Sequence, residues 1–291
     1  MLQAWLIYNK EGSNINHSYI SWFIEEANKK SIDMKLIIRE NLAIGIRNNQ
    51  KVLLLNGKEV AAPDIAVVRT IDPLLSSHLE DMGICVFNSA TVARICNHKG
   101  LTHHEVQKLA IPMMDTYFYT LETLPKLPPL PFPFVVKNVQ GKGGKEVFFI
   151  TDEVDWIDKR SNFSQEIIIQ TTDVQIGKDL RVYVLGKKII AAVLRESKND
   201  YRANYTLGGN ISLYTLNDRE RELIERIYHH FDFDLVGIDF LIGKSGDLLF
   251  NEIEDIVGSR MLSKLTDINL LEKYTEHILE KWKKQNPGSV K

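Results

Sequence analysis

The chain has 291 residues, 44% of them apolar and 25% charged, with 36 Lys and Arg against 38 Asp and Glu. That near-balance excludes a strong global field drawing the protein to nucleic acid or an anionic membrane. No apolar run reaches spanning length, and residues 1–8 are too short for a signal h-region, so the chain reads as soluble and cytoplasmic. The length suits two or three compact lobes, and Cys85 and Cys96, without metal-ligand spacing, read as reduced, buried thiols.

Residues 4–8 predict an apolar strand, and Asn16 or Ser18 would cap a helix carrying Tyr19, Trp22, Phe23 and Ala27 at helical spacing. Residues 34–38 follow as a strand; residues 52–55, the turn Asn56-Gly57 and residues 59–61 form a small hairpin. Residues 64–69 are another apolar strand, Pro73 starts a helix to about Met82, and Gly83 stops it before the strand 84–87. Strands that are apolar throughout and separated by helices imply a parallel sheet covered on both faces. No G-x-G-x-x-G follows the first strand, so residues 1–92 read as a substrate-facing α/β lobe rather than a dinucleotide site.

Asn88-Ser89 caps a helix through about Cys96, and Asn97-His98-Lys99 leads into a second helix ending near Leu109. Residues 116–120 are a strand, residues 125–133 a stiff proline-rich connector, and residues 134–137 a strand ending on Lys137. Gly141, Lys142, Gly143, Gly144 and Lys145 then precede a second strand, residues 147–150. Closely spaced glycines let backbone N–H groups approach an anion, and the ammonium groups add charge. A surface hairpin with incidental lysines is the plainer alternative. The segment is not a Walker loop, because G-x-x-x-x-G-K-[ST] is absent and it joins strand to strand; a phosphate flap is the better reading.

Near the C-terminus, residues 237–242 and 248–254 read as strands joined by a polar turn. If Gly243 faces Leu248, the register sets Asp239 opposite Glu252, with Glu254 on the same face and Asn251 on the other. Like charges directly opposite destabilise a sheet. A hard divalent cation such as Mg2+, shared with nucleotide phosphates, would remove that penalty; the alternative is a solvated hairpin edge whose acids touch no metal. His103-His104 and His229-His230 are adjacent pairs that point to different helix faces and read as surface or packing residues.

Taken in order, Asn97-His-Lys99, the strand ending on Lys137, the glycine loop, Ile167-Ile-Ile-Gln170, Gly177-Lys-Asp179-Leu-Arg181, Gly208-Gly209 and the acidic hairpin resemble the ATP-grasp superfamily. Within it the resemblance is to the group containing the ribosomal-protein modification ligase and bacterial glutathione synthetase. It covers about Phe87 to Leu262 and implies an α/β ATP-grasp fold. The expected division is a parallel α/β domain at 1–92, a central subdomain with the glycine-rich lid at 93–172, a C-terminal subdomain with the metal site at 173–286, and a tail at 287–291.

The same resemblance implies ADP-forming ligation of a carboxylate to an amine through an acylphosphate, with ATP and Mg2+, or Mn2+ in its place. Lys99 and Lys137 match lysines that contact phosphates. Gln170, Thr171, Thr172 and Asp173 match a hinge whose backbone reads adenine, and Asp179, beside Lys178, matches the position facing ribose. Asp239 and Glu252 match metal-binding acids, joined here by Glu254 as a third carboxylate. Arg181, Arg195, Arg202, Asn204 and Arg260 are the candidates for holding an anionic substrate or intermediate. Three departures stand out: Gln170-Thr171 where relatives commonly show Gln-Glu, Glu254 where they commonly show Asn, and residues 256–260 where they show Ser-Pro-Gly. The expected partners are small-molecule or peptide acids and amines, without nucleic acid or membrane, and relatives imply a homo-oligomer, dimer or tetramer. A non-ligating ATP-binding module and a small-molecule kinase are the alternatives on the same fold.

Overall fold

The computed structural model describes residues 1–141, 146–197 and 209–288. Its first part runs β1 (Leu2–Tyr8), α1 (Lys10–Ile15), α2 (His17–Lys29), β2 (Ile32–Ile38), β3 (Leu42–Arg47), β4 (Gln50–Leu55), β5 (Lys58–Glu59), β6 (Ile65–Val68), α3 (Pro73–Asp81) and β7 (Cys85–Phe87). Strands β2-β1-β6-β7 make a parallel sheet in that order. Alternate residues of β1 explain why the strand is continuously apolar from Ala4 to Tyr8. Ala4, Leu6 and Tyr8 face a core shared with α2, while Trp5 and Ile7 face Leu42, Leu53, Leu75 and Leu79 on the other side.

Local signals account for the boundaries. Asp72 caps α3 by accepting from Leu75 N, with Pro73 in its first turn. Asn56 (φ 52°) and Gly57 (φ 77°) both adopt the left-handed region that a two-residue hairpin turn demands. The sequence reading omits α1, whose only strong signal is Asn9 accepting from Gly12 N, and β3, which pairs with β4 in a separate three-stranded sheet.

The chain continues through α4 (Ala90–Cys96), α5 (Lys99–Gln107), β8 (Thr116–Thr120), β9 (Phe134–Asn138), β10 (Val147–Ile150), α6 (Glu153–Lys159) and β11 (Glu166–Thr171). An antiparallel sheet of order β10-β9-β11-β8 results. Last come β12 (Val174–Leu185), β13 (Lys188–Glu196), β14 (Asn210–Leu213), α7 (Asp218–His230), β15 (Leu235–Gly243), β16 (Leu248–Glu254), α8 (Arg260–Leu265) and α9 (Leu270–Gln285). They form a second antiparallel sheet, β14-β13-β12-β15-β16. Helix α9 packs on α2, and Tyr183, Val257 and Leu262 belong to the same core as Leu6 and Phe23, so the first and last parts of the chain are welded by apolar contact. Cys85 and Cys96 are buried free thiols.

Candidate active site

The two antiparallel sheets enclose a cleft with about 930 Å³ of empty space, open solvent included. Val135, Val147 and Phe149 on β9 and β10, and Val174, Ile176 and Leu241 from the opposing sheet, give it apolar walls. Gln170, Thr171 and Thr172 border it where the chain passes from one sheet to the other, and Lys178 and Asp179 line it further along β12. Lys99, Lys137, Gly141, Asn251 and Glu252 complete the lining.

Lys99 opens α5 and anchors two elements: Nζ donates to the Gly141 carbonyl at 2.6 Å and lies 3.5 Å from Glu252 Oε2. Lys137, four residues into β9, donates to Asn251 Oδ1 at 2.6 Å. Burial pushes the Lys137 ammonium down to about 8, against the pull of Glu252 and with the push of Lys99. Beneath them His103 uses Nδ1 on the Lys99 carbonyl at 2.8 Å and meets Gln170 Nε2 at 3.2 Å through Nε2. Burial lowers its pKa to about 4, so the imidazole is neutral, with Nδ1–H donating and Nε2 accepting. Gln170 Nε2 also donates to Thr116 Oγ1 at 2.8 Å, which fixes the side chain at the hinge.

The acidic hairpin sets Asp239 opposite Glu252, although the turn closes one residue away from the sequence reading, with Ile242 opposite Leu248. The register shifts between Asp239 and Phe240, leaving Asn251 as the extra residue of a bulge. The bulge also overturns the placement of Asn251 on the far face, because it turns that amide into the cleft beside Lys137. A polar Asn-Glu pair interrupting the buried alternation of Leu248 and Phe250 was the available signal.

The three carboxylates do not converge on one another. Arg181 grips Asp239 with Nε and Nη2, each at 2.7 Å, and Nη2 is 2.7 Å from Glu254 Oε2. Arg195 binds Asp179 through Nε and Nη2 and reaches Asp239 Oδ2 at 2.8 Å. Cross-strand register explains the weave: Asp179 faces Arg195 on β13, and Arg181 faces Asp239 on β15. Asp239 is 1% exposed; burial works against its charge, yet Arg181 and Arg195 hold it well below the usual carboxylate range. Burial lifts Asp179 to about 6 despite the Arg195 guanidinium. The guanidiniums of Arg181 and Arg195 are thus committed to the chain's own acids rather than turned to a substrate anion. Gly237 makes room for this packing, since a Cβ there would meet Val257 Cγ2 at 2.9 Å and Arg181 Cδ at 3.4 Å.

Among the described residues no three acidic, His or Cys side chains are grouped as a metal cage. The donors that face the cleft, Glu252 and Asn251, with Asp239 across the hairpin from Glu252, offer carboxylate and amide oxygens. Such a set fits Mg2+, which takes one or two protein ligands and fills its shell with phosphate and water. Arg260 is exposed at the start of α8. Asp173 lies off the cleft, 2.5 Å from Lys244 on the surface, and Lys178 pairs with Glu196 at 2.8 Å. Lys142, Gly143, Gly144, Arg202 and Asn204 lie outside the described residues.

Two antiparallel sheets closed over one cleft, with lysines at one end and a hinge along its side, define the ATP-grasp architecture. The fold aligns with D-alanine–D-alanine ligase from Bacillus anthracis, solved with ATP, at a TM-score of 0.74 and 14% identity over 99% of both chains. The sequence profile described as the RimK-like ATP-grasp domain matches residues 93–278, and the chain belongs to that family. It is 25% identical over 260 residues to human beta-citrylglutamate synthase B, covering 83% of this chain and 67% of that relative. It is also 26% identical over 241 residues to glutamate–LysW ligase ArgX of Sulfurisphaera tokodaii, covering 78% of this chain and 86% of that one. The protein is an ADP-forming carboxylate–amine ligase that uses ATP with Mg2+. Among its described residues no helix is long and apolar enough to cross a membrane.

Proposed function

We propose that the protein joins the amino group of glutamate, or of a closely related acidic amino acid, to the carboxylate of a second small molecule or a peptide. The observation that carries this reading is the meeting of Lys99, Lys137, Asn251 and Glu252 at one end of an apolar-walled cleft. Both curated relatives carry glutamate in their names.

In this reading Lys99 and Lys137 bind phosphate oxygens, helped by the glycine segment beginning at Gly141. The base lies between the apolar walls, against the edge of Gln170, Thr171 and Thr172, and the ribose lies toward Lys178 and Asp179. Glu252 and Asn251 would hold the metal, with Asp239 across the hairpin from Glu252. A Mg2+ ion held by these residues would supply charge neutralisation for the transferred phosphoryl group. Arg181 and Arg195 act indirectly, keeping Asp179 and Asp239 ionised in a dry interior. Arg260, Arg202 and Asn204 are left to meet the substrates. The work is positioning and electrostatics, so no side-chain nucleophile is required. Residues 1–92, 93–172 and 173–286 serve as substrate-facing, central and metal-bearing units of a cytoplasmic homo-oligomer without a nucleic-acid partner.

The test is ADP release with L-glutamate against pools of small carboxylates and peptides, followed by mass spectrometry. An amide product formed only with both acid and amine supports the reading. No ADP with any acid, or a phosphorylated product without an amide, overturns it.

A further inference from the structure

Arg69 follows β6 and is 9% exposed. Its Nε donates to the Tyr8 hydroxyl at 3.1 Å and Nη2 to the Val257 carbonyl at 3.0 Å. The guanidinium carbon lies 5.1 Å from the centre of the Tyr19 ring and 5.9 Å from that of Tyr8. Arg195, also buried, and the partly buried Arg181 each grip two carboxylates. Among the described residues none pairs with Arg69. Ring faces and one carbonyl soften an enclosed cation but do not neutralise it.

Its place in the fold is equally pointed. Tyr8 ends β1 and Arg69 follows β6, neighbours in the parallel order β2-β1-β6-β7. The chain leaves β1 toward β2 on one side and β6 toward β7 on the other. That is the switch point of an open α/β sheet, where a ligand crevice forms beyond the carboxyl ends of the strands. Val257, which Arg69 holds, lies three residues past Glu254. Ile71, two residues past Arg69, borders a small cleft with Lys99, Gly141, Glu252 and Glu254. The switch point thus lies two residues along the chain from a cleft that Lys99 and Glu252 border. The Tyr19 hydroxyl, buried without a hydrogen-bond partner, supplies a further donor beside the guanidinium.

We propose that Arg69 binds a carboxylate of the amino-acid substrate, holding it at the sheet switch point so that its amine faces the reacting carboxyl. This assignment rests on the ligase reading above. A guanidinium suits the task because its fork matches both carboxylate oxygens and it stays charged at any working pH.

The test compares the full-length protein with R69M and R69K, titrating L-glutamate in the ADP-release assay at saturating ATP and carboxylate pool. R69M is expected to raise the glutamate KM by about 30-fold or more, with kcat and the ATP KM changed by less than about twofold. R69K, which keeps the charge without the fork, should fall between. A residue that merely straps the sheet to Val257 would lower the melting temperature without separating the two KM values. Equal glutamate KM values for wild type and R69M overturn the proposal and leave the ligase reading standing. If the wild type releases no ADP, the ligase reading fails separately. Equilibrium dialysis of labelled L-glutamate then decides for Arg69: binding lost in R69M supports it, and binding unchanged or absent in both overturns it. Should R69M not fold, R69K decides, an unchanged KM again being the adverse result. Glutamine and isoglutamine in place of glutamate distinguish the carboxylates, since the R69M penalty vanishes with whichever amide removes the charge that Arg69 holds.

Discussion

The Lys137 ammonium donates to the Asn251 amide oxygen at 2.6 Å, one hydrogen bond joining the central sheet to the acidic hairpin. Burial brings this ammonium to about 8, so its charge is titratable in an accessible range. A nucleotide triphosphate binds the protonated form better and raises the pKa of the group on binding. The sign follows: ATP affinity is full below about pH 8 and falls as pH rises from the free toward the bound value, by up to about tenfold per unit. Calorimetric titration of a non-hydrolysable ATP analogue from about pH 6.5 to about pH 9.5 checks this. K137R, charged throughout, should flatten the profile; an unchanged slope in that variant would assign the titration elsewhere.

Of the three hairpin carboxylates Glu252 is the one that lines the main cleft, its side chain 36% exposed and 3.5 Å from Lys99. Glu252→Gln keeps the shape and removes the charge. Mg2+-dependent turnover should fall by at least about 100-fold, with little change in melting temperature because the side chain is half solvated. Undiminished turnover over a Mg2+ titration would refute the metal assignment.

Much of this arrangement is legible in the sequence, and the remainder has physical reasons for being hidden. Parallel strands β1 from Ala4 onward, β6 and β7 are readable because both faces are buried, which makes each stretch continuously apolar. Strand β3 is not, since only Leu42 of Leu42–Arg47 is buried and the strand includes Gly45. Asp239 stands across from Glu252 as the sequence reading expects, but only because the bulge offsets a turn that closes one residue away from it. The bulge that brings Asn251 inward shows locally only as the Asn251-Glu252 pair that breaks the buried alternation. The arginines illustrate the same limit. Asp179 and Arg181 share a strand in plain view, whereas their commitment to Arg195 and Asp239 depends on which strands lie alongside.

Arg195 is 4% exposed and compensates two buried acids, so its loss should act first on stability. Arg195→Met leaves Asp179 and Asp239 with one guanidinium between them and should destabilise the fold by about 3–5 kcal/mol. The double variant R195M/D179N, which also removes a charge, should recover part of the loss. Urea unfolding of the three proteins measures both. A single-variant effect below about 1 kcal/mol would mean that the weave of charges is not what holds this sheet.

Asn88 ties the parallel sheet to the roots of the acidic hairpin. It is 5% exposed, its Nδ2 donates to the Leu235 carbonyl at 2.9 Å and the Asp255 carbonyl at 3.1 Å, and its Oδ1 accepts from Asp234 N at 2.6 Å. Asn88→Ala strips partners from three buried backbone groups at once. At about 1–3 kcal/mol for a group left unsatisfied, with water refilling some of the space, a net loss of about 3 kcal/mol is expected. Asn88→Asp should be at least as damaging, because a carboxylate turned toward two carbonyl oxygens has no hydrogen to offer them. The urea midpoint reads both effects, and a loss under about 1 kcal/mol for N88A would show that the hairpin is positioned from elsewhere.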